Sequence, residues 1–158
     1  GQLLAALAAD PRWQDVTFHL VVGALNPRLP ALEQAAAALP NLVLHRNVAR
    51  MDALMSACDA AVAAAGSTLY ELCACGTPTV TYVLADNQIP GADGFARRNL
   101  MDNAGDCRHG AGFYPRLLDT LYALCTDAPR RAAMAAAMQQ TVDGSGAARL
   151  AAALLGVG

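Results

Sequence analysis

"AAAGSTLYELCACGTPTV", residues 63–80, is the stretch whose reading decides the fold. A run of small residues reaches Gly66-Ser67-Thr68. A helix-like segment follows, and Gly76-Thr77-Pro78 then leads into a β-branched run. The pattern predicts a strand over 60–66 and a helix over 67–76. Ser67 or Thr68 is its N-cap and Gly76 its end. A second strand is predicted over 77–84. Glu71, one of only two glutamates with Glu33, sits in the first turns of that helix.

The same alternation continues on both sides. Upstream, "LLAALAAD" predicts a helix stopped by Pro11, and "VTFHLVVG" (16–23) a buried strand. A helix over 28–39 and a short strand over 41–47 follow. In residues 48–59, Val48, Met51, Leu54, Met55 and Cys58 recur at spacings of three and four, an amphipathic helix. Downstream come a loop over 85–94, a helix over 95–105 and a weak strand near 106–109. Helices then cover about 114–126, 128–142 and 146–155. Strands alternating with helices imply βαβ units. The expected class is α/β: a Rossmann-like, doubly wound, mostly parallel sheet with helices on both faces.

Composition narrows the function. The 158 residues suffice for one domain with a substantial core. Net charge is -2, so no basic field points to nucleic acid. All 11 basic residues are arginine, which removes a Schiff-base or P-loop lysine from this chain. No apolar run approaches the roughly 18 residues of a membrane span. "GQLLAALAADPRW" lacks a positive n-region, so no signal peptide is expected. Five cysteines, an odd number, suggest reduced thiols and a cytoplasmic location. No spacing among them or with His19, His45 and His109 makes a metal site, and no cofactor is expected. These histidines read as structural.

In an open parallel sheet, ligands bind beyond the carboxyl ends of the strands. Gly66-Ser67-Thr68 falls at such an end and opens a helix, where free N–H groups and a partial positive charge suit a phosphate. Glu71 is open to two readings. One is a capping box with Thr68 as N-cap and Glu71 at N3. The other is a carboxylate that accepts from ribose hydroxyls.

Residues 47–88 resemble the C-terminal nucleotide-binding half of GT-B glycosyltransferases, the family 28 C-terminal type. Within that superfamily they are most similar to the UDP-sugar hydrolases of pseudaminic acid synthesis and the related spore-coat polysaccharide proteins. The matching residues are Met51, Asp59, Ala65-Gly66-Ser67-Thr68, Glu71, Gly76-Thr77-Pro78 and Ala85-Asp86-Asn87-Gln88. The resemblance implies that Gly66, Ser67 and Thr68 hold a diphosphate and Glu71 the ribose. It puts the backbone at Val48 against the uracil, and Asn87 and Gln88 at the sugar or its phosphate. An ordinary polar loop is the other reading of Asn87 and Gln88.

The first strand and glycine-rich loop of that pattern have no counterpart, Gly1 being their only remnant. The water-activating histidine belongs to an N-terminal domain. Residues 1–158 are therefore expected to be the nucleotide-sugar-binding domain of a two-domain enzyme, with UDP-sugar and the N-terminal domain as partners. No catalytic residue is assigned. The expected function is a nucleotide-sugar hydrolase of surface-polysaccharide or nonulosonic-acid biosynthesis. A UDP-sugar-dependent glycosyltransferase and a non-catalytic scaffold are the alternatives. Without the first strand, 16–22 and 60–65 are expected to pair directly or to have the gap filled by other chain.

Overall fold

The structure, a computed structural model, describes residues 2–23, 25–110 and 112–156. Gly1 lies outside them. The chain divides into two compact units, residues 1–51 and 52–158.

The first unit runs α1 (Gln2–Ala9), a 3-10 turn (Pro11–Trp13), β1 (Phe18–Val22), α2 (Leu29–Ala37) and β2 (Leu42–Arg46). Alanine and leucine make "LLAALAA" helical as expected, and Asp10 caps the next turn by accepting from the Arg12 N–H. β1 and β2 pair in parallel, Phe18 opposite Leu42. Leu4, Trp13 and Val22 are buried. Asn41 ties the turn before β1 to the start of β2 by donating to the carbonyls of Trp13 and Val16, both at 2.8 Å. The strand expected to be buried is instead alternating: Val21, whose partner on β2 is His45, is exposed, and so is Val43, the partner of His19. His19 and His45 lie side by side, ring nitrogens 2.8 Å apart.

The second unit carries α3 (Met51–Ala57), which starts at the boundary, and then β3 (Ala61–Ala64), α4 (Thr68–Cys75) and β4 (Thr79–Val83). A 3-10 turn (Asp86–Gln88) leads to α5 (Ile89–Arg97), β5 (Asp102–Asp106), α6 (Phe113–Thr126), α7 (Ala128–Thr141) and α8 (Gly146–Leu155). Its sheet is parallel, in the order β3-β4-β5. Successive β4 residues Thr79, Val80 and Thr81 are all buried. Side chains alternate across a strand, so both faces of the sheet are covered. The two threonine hydroxyls of β4 donate to backbone carbonyls, Thr79 to that of Thr77 and Thr81, across to β3, to that of Ala63. α5 and α6 pack on β4 and β5, and α7 packs on α4 and α6. Leu72, Cys73, Leu117, Leu124 and Met138 are core residues. The α/β class, parallel strands and enclosing helices are those of a Rossmann-like half.

Three expectations shift. The direct pairing of 16–22 with 60–65 is not found; among the described residues β1 and β3 belong to separate sheets. The loop over 85–94 and helix over 95–105 become a helix at 89–97, because Pro90 falls in the first turn, where its missing N–H costs nothing. The strand near 106–109 moves to 102–106, drawn by pairing with Val80 and Thr81 of β4. Asn99, with φ 57°, stops α5 and makes room for it.

Candidate functional site

The parallel order brings the segments that follow β3, β4 and β5 to one edge of the second unit. Neighbouring strand ends are about 4.8 Å apart. Three short stretches meet there: Ala65-Gly66-Ser67, Leu84–Gln88 and Cys107–Gly110.

The first stretch is the tip of α4. Gly66 donates to the Ala64 carbonyl at 2.7 Å, a tight turn that swings the chain from strand to helix. Ser67 is the N-cap, but its side chain makes no cap hydrogen bond. Thr68 is therefore the first helical residue, and N3 is Tyr70. Glu71 stands one place beyond the capping-box position, so that reading of the pair fails. Gly66, Ser67, Thr68 and Glu71 are all exposed. Among the described residues, the backbone N–H groups of Ser67 and Thr68, both hydroxyls and the Glu71 carboxylate have no hydrogen-bond partner. Beyond its chain neighbours, a Cβ built on Gly66 would meet no protein atom within 4 Å, and its φ is outside the left-handed region. The fold thus has no need of glycine there, whereas Gly76 at the other end of α4 has φ 68°. The tip offers donors for an anion and one separate acceptor.

The second stretch is the turn after β4. Asn87 is exposed. Gln88 closes the turn, its Oε1 accepting from the Leu84 N–H at 2.8 Å. Its amide nitrogen stays open among the described residues.

The third stretch brings in residues that sequence reasoning missed. Asp106, at the end of β5, holds Arg108 through Nε and Nη2, the latter at 2.6 Å, and through the Arg108 backbone N–H at 2.8 Å. Arg108 Nη2 also reaches Asp86 Oδ1 in the neighbouring turn at 2.6 Å. The Arg108 guanidinium keeps the Asp106 carboxyl well below the usual carboxylate range. The expected strand at 106–109 hid this group. With β5 at 102–106, Arg108 falls just beyond a carboxyl end.

Val48 belongs to the first unit. It is half-buried, in the turn after β2 where Asn47 takes φ 50°. An open groove of about 470 Å³ in the second unit, lined by Tyr70, Pro90, Gly94, Phe95 and Arg98 among others, contains none of the expected site residues. Among the described residues no cluster of three metal-ligating side chains occurs, and no helix is long and apolar enough to cross a membrane.

No protein-family model matches the chain, and no curated protein does. Among solved structures, the chain is similar to WaaG, described as a glycosyltransferase involved in lipopolysaccharide biosynthesis. The TM-score is 0.68 at 22% identity, over 89% of this chain and 38% of WaaG. This chain thus spans less than half the length of that protein. The likeness establishes a shared Rossmann-like fold.

Proposed function

We propose that this chain is the UDP-sugar-binding half of a bacterial polysaccharide-biosynthesis enzyme. The observation that carries the reading is the tip of α4. Two N–H groups and two hydroxyls stand without partners around a glycine that the fold does not require, with one open carboxylate beyond them. The donors suit a diphosphate, and the carboxylate of Glu71 suits the ribose diol. Breaking the bond between an anomeric carbon and a diphosphate requires the leaving charge to be stabilised. A helix N-terminus does this without lysine or metal.

Two readings of the whole enzyme have separate support. The A-G-S-T-x-x-E and A-D-N-Q residues favour a hydrolase, in which water is the nucleophile. The fold shared with WaaG favours a transferase, in which an acceptor hydroxyl takes that place. Release of UDP from a UDP-sugar by the two-domain enzyme in buffer alone would select the hydrolase.

The site itself is tested by titration calorimetry of this chain with UDP and with 2′,3′-dideoxy-UDP. Hydrogen bonds to a charged group contribute about 1.5–3 kcal/mol each. Glu71→Ala should therefore weaken UDP about tenfold or more and leave the dideoxy analogue unchanged. Equal losses for both ligands would remove Glu71 from the ribose.

A further inference from the structure

We infer that the open groove between α4, α5 and the end of α7 binds a small aromatic anion, with its ring against Tyr70 and α5 and its charge on Arg97 and Arg98. The inference is independent of the diphosphate reading, because Gly66, Ser67, Thr68 and Glu71 do not line the groove.

α5 carries glycine at positions 91 and 94, although glycine is the poorest helix former after proline. Neither glycine has a left-handed φ. Beyond the chain neighbours and the helix's own backbone, a Cβ at either position would meet no atom within 4 Å. Packing therefore excludes a side chain at neither site, and alanine would make a better helix at both. The two glycines, three residues apart, fall on one side of α5 and leave it flat. Both line the groove, whose volume of about 470 Å³ is that of a small-molecule site.

The walls combine aromatic rings with one sign of charge. Phe95 and Tyr70 meet edge to face, ring centres 5.4 Å apart, yet Tyr70 is still 58% exposed. Leu100, almost fully buried, lines the same groove. Among the described residues, only Arg28, Arg97 and Arg98 of the eleven arginines have side chains without a partner. Two of those three line this groove, and no acidic residue does. Asp93, the acid of α5, accepts from Asn103 on β5 instead. A chain of net charge -2 thus presents two unmatched guanidinium groups beside an exposed ring.

That combination selects its ligand. Tyr70 and Phe95 offer stacked or edge-to-face contact to another ring, and the flat side of α5 admits a plate. A guanidinium takes a carboxylate or a phosphate through paired N–H groups. A neutral ring would leave both arginine charges unmatched, and a bare anion would leave the rings uncovered.

The test is a proton–nitrogen NMR titration of the chain with 2-naphthoate, with its uncharged amide 2-naphthamide, and with acetate. Naphthoate should give saturable shifts at Gly91, Gly94, Phe95 and Arg98. The amide and acetate should each bind about tenfold more weakly or not at all. The double substitution Arg97→Ala/Arg98→Ala should weaken naphthoate about tenfold or more. Gly94→Leu should fill the groove and abolish binding, while its melting temperature stays level or rises because leucine is the better helix former. Equal affinity for naphthoate and naphthamide, naphthoate binding that survives Gly94→Leu, shifts confined to Ser67 and Thr68, or no saturable shift at millimolar naphthoate would overturn the inference.

Discussion

Gly66→Ala separates a residue that the fold needs from one that a ligand needs. A methyl group at position 66 meets no protein atom within 4 Å beyond its chain neighbours, and the backbone there is not left-handed. At such positions Gly→Ala stabilises by about 0.4–1 kcal/mol, because the unfolded chain loses freedom. For a protein of this size, about 2–4 °C accompanies each kcal/mol. The melting temperature should therefore stay level or rise by about 1–4 °C. Gly76→Ala is the control. Its φ is 68°, and a Cβ would sit 2.7 Å from the Gln139 side chain. The left-handed conformation costs an L-residue about 1–2 kcal/mol, so melting should fall by about 2–8 °C. Gln139 can swing aside, so the backbone term dominates. UDP affinity should respond in the opposite sense. The methyl at 66 would occupy the space in which phosphate oxygens approach the N–H groups of Ser67 and Thr68. Losing one such charge-assisted bond lowers affinity about tenfold or more. Scanning calorimetry and UDP titration of the two variants provide both readings. A drop of several degrees for Gly66→Ala, or unchanged UDP affinity, would refute the reasoning.

Two further outcomes follow from the electrostatics. Burial pushes the Cys73 thiol up to about 11, and its side chain is inaccessible. Iodoacetamide at pH 8 should therefore modify Cys75 well before Cys73 by mass spectrometry, and equal rates would contradict the packing of α4. Asp106 has its carboxyl lowered by Arg108. A lowered carboxylate contributes stability that is complete above its unfolded value of about 3.9 and is lost as pH falls toward the folded value. Arg108→Ala removes the cause. The melting difference between the unsubstituted chain and this variant should shrink as pH falls from about 5 to about 2, and carbon NMR should find Asp106 of the variant titrating higher. An unmoved Asp106 would show that another group lowers it.

The legible parts of the fold are those in which local chemistry and packing agree. α4 is bounded by Ser67 and a left-handed Gly76, and both are readable as helix ends. α3 shows its half-buried stripe of Met51, Leu54 and Met55 in the residue spacing itself. β5 is different. Asp102-Asn103-Ala104-Gly105-Asp106 has almost no strand propensity, and its extended form comes from pairing with β4. In α5, Pro90, Gly91 and Gly94 resemble a loop, although proline suits a first turn. The site divides in the same way. Gly66, Ser67, Thr68 and Glu71 were visible as a motif on one segment. Arg108 was not, because its partners Asp86 and Asp106 meet it only once β4 and β5 are side by side.

The decisive measurement is a proton–nitrogen NMR titration of the chain with UDP. The amides of Ser67 and Thr68 should show the largest saturable shifts, with Gly66 and Glu71 next. Gly66→Ala should reduce them at equal UDP concentration. Saturable shifts confined to residues away from 66–71, or none at millimolar UDP, would contradict a diphosphate site at the tip of α4.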